Sequence, residues 1–250
     1  MNSNPQDGTS VKKYGLAFHT ATPELGLAIS NFAGDSRCQT WNLGRSLATD
    51  LHQHLVEFIG PQTWADLAFI AVAKGPGGFT GTRMGMVTAR TLAQQLDIPV
   101  FAISTLAAVA WAAPPQPPLS KGGLLSAQPP VAKEGLLNTE PPQPPVAKGG
   151  LLSIALQMPA QRGQLFGAVY SVNKDSGLTE LFPDTVMTPE SWQEKLESWE
   201  NSYQLIEVGS ELGWSVSSVL ELAYLEWKQG SRPDWSGALP YYGQHPVKGH

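Results

Sequence analysis

The chain has 250 residues, with 16 Lys and Arg against 21 Asp and Glu, and a formal net charge of −5. Its 42% apolar content is ordinary for a globular protein able to bury a core, and its 15% charged content argues against broad electrostatic attraction to nucleic acid. The single cysteine, Cys38, excludes an internal disulfide and fits a reducing compartment. No run approaches the ~18 apolar residues that span a bilayer, so the expected location is the cytoplasm.

Residues 1–13 (MNSNPQDGTSVKK) are polar, lack the apolar centre of a secretory signal, and read as a short disordered lead. Order is expected from Tyr14. The apolar run YGLAFHT, the alternating GLAISNF at 26–32 and a short segment at 37–41 predict three antiparallel strands, with Gly34-Asp35 as a hairpin signal. Residues 45–59 follow as an amphipathic helix, with Leu47, Leu51, Leu55 and Ile59 recurring every fourth residue and Gly60-Pro61 ending it. His52 and His54 stand two apart, point to different sides of that helix, and cannot form an i,i+4 zinc pair.

The run LAFIAVA at 67–73 predicts a buried strand, and Gly75, Pro76, Gly77 and Gly78 predict a tight loop launching a helix over 79–96. Such a loop can cradle a phosphate at the helix N-terminus. It lacks the Lys of a Walker A loop, however, and Thr80 takes the place of the third Gly of a dinucleotide loop. In the helix, Gly81, Gly85, Ala89 and Ala93 form a small-residue stripe. Each Gly inside a helix costs about 1 kcal/mol relative to Ala, so something must come close to that side. Periodicity leaves open whether it is the chain's own sheet or another subunit. A strand at 99–104 and a short helix at 105–111 complete a β-β-β-α-β-α-β-α order, a mixed sheet with helices packed on it.

Composition changes at Ala112. PPQPPLSKGGLLS (114–126) recurs as PPQPPVAKGGLLS (141–153), with PPVAKEGLLN (129–138) between them. The units are too short and too rich in Pro and Gly for solenoid repeats, so 112–153 reads as an inserted low-complexity loop, or as a ligand for an SH3-like or WW-like partner. Beyond it, strands are expected at 154–158, 164–172 and 178–182, a helix at 188–199 capped by Thr188 with Pro189 in its first turn, a strand at 203–208 and a helix at 216–227. Residues 239–242 (LPYY) are expected to strap the tail to the body. The strand-then-helix order on both sides of the insert suggests two related subdomains, 14–111 and 154–240, followed by a tail at 241–250.

No catalytic constellation stands out. There is no G-x-S-x-G elbow, and no acid sits beside the Gly loop to hold a Mg²⁺-phosphate group. The end of the first strand carries His19-Thr20-Ala21-Thr22 instead.

Three segments together resemble the bacterial TsaB (YeaZ) family: FHTATPELGLAIS (18–30), GPGGFTGTRMGMVTARTLAQQLDIPVFAISTLAAVA (75–110) and AQRGQLFGAVY (160–170). The resemblance implies the actin-like, Hsp70-like ATPase fold, an α/β fold of mixed sheets in two duplicated subdomains. It implies a non-catalytic subunit supporting a TsaD-like catalytic subunit and working with a TsaE-like ATPase. That complex places threonylcarbamoyl on N6 of adenosine 37 in tRNAs reading codons that begin with A. By the same resemblance, this chain alone binds no cofactor, ATP and metal are handled by the partner subunits, and tRNA is met only through the complex; an isolated copy has the partner face free for homodimerisation, with homodimer and monomer both left open. Carried over, the partner contact comprises Leu47, Leu51 and Leu55 with Phe79, Thr80, Gly81, Arg83, Met84, Gly85, Thr88 and Ala89. Three positions depart from the family pattern: His19 stands where an Asp is usual, and Pro159 and Gln161 replace the Asp and first Arg of the later motif. The alternatives are a small-molecule phosphotransferase of the same fold and, against the absence of a His pair at metal spacing, a metallopeptidase.

Overall fold

The computed structural model describes residues 13–113, 124–126, 153–173 and 177–243. The reading of residues 1–12 as a disordered lead, and most of the reading of the insert, lie outside the described residues.

The first sheet contains β1 (Tyr14–His19), β2 (Glu24–Ser30), β3 (Ser36–Asn42), β4 (Leu67–Ala73) and β5 (Val100–Ile103), in the order β3-β2-β1-β4-β5. The first three strands are antiparallel, and β1, β4 and β5 run parallel. The second sheet contains β6 (Leu124–Ser126), β7 (Ser153–Pro159), β8 (Leu165–Asn173), β9 (Gly177–Met187) and β10 (Tyr203–Glu207), in the order β6-β10-β7-β8-β9. Read from β9, this repeats the first sheet: an antiparallel trio followed by parallel neighbours.

Among the described residues, five α-helices sort onto these sheets by their apolar faces. The helices α1 (Leu47–Ile59) and α2 (Phe79–Leu96) cover one face of the first sheet, where Leu51, Leu55, Met86 and Ala89 meet Phe18, Leu27, Ile70 and Val72. Between the two sheets lie α3 (Thr105–Ala112) and α5 (Val216–Lys228), packed on Ala17, Phe69 and Phe101 from one side and on Leu156, Ala168 and Tyr170 from the other. The fifth, α4 (Pro189–Glu197), closes the outer face of the second sheet through Trp192 and Leu196 against Ala155 and Val169. This layering explains two sequence patterns. The strand β4 is a continuous apolar run because both its faces are covered. The short helix α3 is apolar all round because it is buried on every side.

Local signals place the helix ends. Ser104 caps α3 by accepting from the Ala107 N–H at 3.1 Å, and Thr188 caps α4 by accepting from Ser191 N–H at 3.2 Å with Pro189 at its first position. The Arg37 guanidinium on β3 donates to the free carbonyls of Phe58, Ile59 and Gly60 at the end of α1.

Two elements differ from the sequence expectation. The strand β9 runs to Met187, past Pro183, where the pattern suggests a stop at Phe182. It is an edge strand with a register shift against β8, which is where a sheet tolerates a proline. And the insert is not wholly outside the fold, because Leu124–Ser126 supplies β6.

The two halves meet closely at Gly26 on β2. A Cβ there would press into the Gly213 carbonyl just ahead of α5, while Glu24 accepts the Gly213 N–H at 2.9 Å. Gly26→Ala is expected to lower stability by about 2 kcal/mol, the cost of overpacking against backbone, read as a shift of the urea midpoint with the m-value unchanged.

Candidate partner-binding surface

The Gly loop is held from four directions. The Lys74 N–H donates to the Ile103 carbonyl at 2.8 Å, and the Lys74 carbonyl accepts from Tyr241 N–H at 2.7 Å. The Gly75 carbonyl accepts from Thr105 N–H at 2.9 Å, and Gly78 N–H donates to Ala21 at 2.7 Å. Gly75 has φ +98, a left-handed conformation that favours glycine, and a Cβ there would press on the Tyr241 carbonyl. The 75–76 peptide is cis.

The small-residue stripe of α2 meets the turn between β1 and β2. A Cβ on Gly77 would collide with the Ala21 carbonyl, one on Gly81 with the Thr20 carbonyl, and one on Gly85 with the Thr20 hydroxyl. The Thr20 hydroxyl donates to the Gly81 carbonyl at 2.9 Å. The glycines therefore serve intramolecular packing, and the expectation that the stripe faces a partner is corrected. Gly85, Thr88 and Ala89 are buried under the helix, and Leu47, Leu51 and Leu55 are buried on the same sheet face. In this conformation the chain itself covers these six, because the apolar stripe that makes each helix amphipathic is the side that lies on its own sheet.

Of the other expected contact residues, Phe79, Thr80 and Arg83 are exposed, and Gly81 and Met84 are half-buried. The outward sides of α1 and α2 also carry two apolar residues that periodicity missed. Val56 is 63% exposed and Val87 54%, beside Phe79 at 55%. Their signal was present: each is a β-branched residue standing outside the fourth-residue stripe of its helix. Thr80, Arg83, Val87 and Thr91 follow one another along the outer side of α2, and His52, Gln53 and Val56 along that of α1. At the start of α2 the exposed Phe79 ring packs on Tyr242, 4.6 Å between centroids. The strap expected at 239–242 is thus present, and it borders this surface.

Beneath the loop lies a set of polar side chains without partners. His19, at the end of β1, is fully buried, and neither ring nitrogen has a hydrogen-bond partner; the buried hydroxyls of Thr22, Thr82 and Thr105 also have none. Burial holds the His19 imidazole down at about 4, against an ordinary 6.5. Nearby, the Tyr170 hydroxyl donates to Asp184 at 2.7 Å, and burial pushes the Asp184 carboxyl up despite that bond and the Lys74 charge. Among the described residues no group of three or more His, Cys, Asp or Glu side chains is placed to hold a metal ion, and no helix is long and apolar enough to cross a membrane.

Residues 57–127, from the end of α1 through β4, the Gly loop, α2, β5 and α3, match the family described as "TsaD: tRNA N6-adenosine threonylcarbamoyltransferase". The tRNA threonylcarbamoyladenosine biosynthesis protein TsaB of Bacillus subtilis is 56% identical over 45 residues, 18% of this chain and 20% of that protein. An uncharacterised protein of Mycobacterium tuberculosis is 34% identical over 104 residues, 38% of this chain and 46% of that one. In structure, YeaZ from Pseudomonas aeruginosa aligns with a TM-score of 0.63 at 19% identity, over 92% of this chain and 100% of that one. A second Pseudomonas aeruginosa structure, described as similar to peptidase YEAZ, gives 0.64 at 18% identity, over 93% and 100%. Sequence relatives and fold neighbours name one group, TsaB/YeaZ. The fold is that of YeaZ, of the actin-like ATPase type. The chain spans between a fifth and about half the length of the curated relatives it matches, from 20% of the Bacillus TsaB to 52% of a Buchnera TsaB. The segment shared with the Bacillus protein is short, while the YeaZ-like fold extends over both sheets.

His19 gives a pH signature. Its folded-state value lies below the unfolded 6.5, so the unfolded chain binds the extra proton, and stability falls as pH drops from about 6.5 to about 4. The loss attributable to this group reaches at most about 3 kcal/mol at 1.36 kcal/mol per pKa unit. His19→Leu is expected to flatten the pH dependence of the urea midpoint in that window, while wild type and variant run parallel above pH 7. Equal slopes below pH 6.5 would show that His19 is solvated.

Proposed function

We propose that the chain is a non-catalytic subunit that binds and supports a TsaD-like catalytic subunit in threonylcarbamoylation of N6 of adenosine 37 in tRNAs reading codons that begin with A. The observation that carries this reading is the outer face of α1 and α2. Three large apolar side chains stand in water there, on two helices whose inner faces are already fully used. Isolated exposed apolar residues are common on monomers. Here they come from neighbouring helices on one sheet face, with Phe79 itself packed on Tyr242, and rimmed by Thr80, Arg83, His52 and Gln53. This composition suits a helix-on-helix contact with an apolar centre and a polar rim.

The names of the relatives support the pathway, and the TsaD-type match supports a partner of the same fold. The end of β1 supports a supporting rather than a chemical role. In place of a carboxylate it presents a buried imidazole kept neutral at physiological pH, which cannot ligate magnesium as a carboxylate does. ATP and metal would then be handled by the TsaD-like and TsaE-like subunits, tRNA would be met through the complex, and an isolated copy would use the same face to dimerise. The acidic net charge is consistent with tRNA being held elsewhere.

One observation favours a second reading, a small-molecule phosphotransferase. A cavity of about 360 Å³ opens between the β1–β2 turn and the start of α2, lined by Thr22, Gly78, Thr80, Met158 and Ser210 among others. Phe79, Thr80 and Gly81 of the first turn of α2 also line it, and that turn has no side-chain cap. Calorimetry of the isolated chain with Mg-ATP separates the readings: the subunit reading expects no heat of binding, and saturable micromolar binding would favour the phosphotransferase.

The surface itself is tested by Val56→Glu combined with Val87→Glu. Both positions are exposed, so stability should change by less than about 0.5 kcal/mol, while affinity for the TsaD-like subunit should fall on the order of 100-fold, as for loss of an interface centre. Leu181→Glu, on β9 of the other sheet, should leave binding unchanged. A double variant that binds like wild type would remove this face as the contact.

A further inference from the structure

Of the three exposed apolar side chains on the outer face of α1 and α2, two are fixed by their own chemistry. Val56 and Val87 are β-branched and lie inside their helices, where one χ1 rotamer dominates. Phe79 is different. It is the first residue of α2, and its side chain is 55% exposed. Gly77 and Gly78 before it and Gly81 two residues on carry no side chain that could hold the ring.

The ring is met instead by Tyr242, with centroids 4.6 Å apart and planes inclined at 35°. Tilted aromatic pairs at this separation attract one another beyond the area they share. The pair joins the start of α2, in the first half, to the strap that follows the second half.

Tyr242 is itself held through its two neighbours. Tyr241 donates its N–H to the Lys74 carbonyl at 2.7 Å and its hydroxyl to the Asp184 carbonyl. The Tyr241 carbonyl lies so close to Gly75 that a Cβ on Gly75 would collide with it. On the other side, Gly243 has φ +64, and a Cβ there would press into Val186 and Phe166, so the strap lies hard against β8 and β9. Tyr241 sends its ring to the second sheet, 6.4 Å from that of Phe166, and Tyr242 sends its ring to α2. The backbone is thus pinned before and after Tyr242, and the side chain between the pins is the one that reaches Phe79.

We infer that Tyr242 is a positioning residue for the partner contact: it holds the Phe79 ring in the orientation that the partner receives, so that a surface built on the first half is completed by the tail of the second. This rests on the reading of the α1–α2 face as the contact with a TsaD-like subunit. Ordering a free side chain on binding weakens affinity by about 2- to 10-fold. Val56 and Val87 avoid that loss through β-branching, and Phe79 avoids it through Tyr242.

The test is a double-mutant cycle on the full chain, with affinity for the TsaD-like subunit measured by calorimetry. Tyr242→Ala should weaken binding by about 5- to 10-fold, and Tyr242→Phe, which keeps the ring, by less than about twofold. In a Phe79→Ala background, Tyr242→Ala should change affinity by less than about twofold, because the ring it positions is gone. An equal loss in both backgrounds would overturn the inference, since Tyr242 would then touch the partner itself or act by loosening the strap. Wild-type affinity in Tyr242→Ala would overturn it as well. The Val56→Glu, Val87→Glu chain separates this from the reading beneath it. If that chain binds like wild type, the face is not the contact and the inference falls with it. If that chain loses binding while Tyr242→Ala keeps it, the inference alone falls.

Discussion

Thr20 and the glycines of α2 meet more closely than any side chain on that helix would allow. Gly81 and Gly85 lie one helical turn apart against the Thr20 carbonyl and hydroxyl, Gly77 of the preceding loop lies against the Ala21 carbonyl, and the Thr20 hydroxyl is donated to the Gly81 carbonyl. Each glycine in the helix costs about 1 kcal/mol in propensity, and the contact they permit sets the angle at which α2 lies on the sheet. Everything on the first half's helical face follows from that placement. With α2 pressed against the turn, Met86, Ala89 and Ala93 reach the sheet, α1 packs beside it through Leu51 and Leu55, and the sides bearing Val56 and Val87 turn outward. The glycines therefore create the outer surface without being part of it.

The same loop ties the two halves together. Tyr241 donates its N–H to the Lys74 carbonyl of the first half and its hydroxyl to the Asp184 carbonyl of β9 in the second. Glu24 on β2 holds the Gly213 amide ahead of α5, and Trp111 of α3 donates to Glu221 of α5 at 2.6 Å. These bonds sit around a shared apolar layer contributed by both sheets. An enzyme of a two-lobed fold commonly works by opening and closing around its ligand. Here the two halves are bridged at the strap, at the β2–α5 contact and through the core between them.

Much of this was legible in the sequence, for identifiable reasons. The strand at 67–73 and the helix at 79–96 have the same limits in the pattern and in the structure, because a continuous apolar run and a Gly-Pro loop are strong, local signals. Where the sequence fell short, the deciding fact was tertiary. Periodicity showed that something approaches the bare side of α2, but only the fold reveals that it is Thr20. Leu47, Leu51 and Leu55 looked like contact residues through the resemblance, yet a helix stripe regular enough to be read is, in a two-layer packing, the stripe that is buried. The outer apolar residues break the pattern and so escape it. The strand past Pro183 depends on lying at a sheet edge, and β6 depends on β10, some 80 residues later in the chain.

His19 connects these threads. It occupies the end of the central strand, where the fold's two lobes and the Gly loop converge, and it is buried with neither nitrogen hydrogen-bonded. A carboxylate at that depth would need a cation or several donors to remain charged. A neutral imidazole needs neither. The neighbouring hydroxyls of Thr22, Thr82 and Thr105 are likewise without partners, so the site is polar in composition but carries no charge of its own. A charged strand end would make the stability of the loop depend on what occupied the cleft. With a neutral one, the Gly loop, and with it the outward face of α2, is held by the chain's own packing and backbone hydrogen bonds.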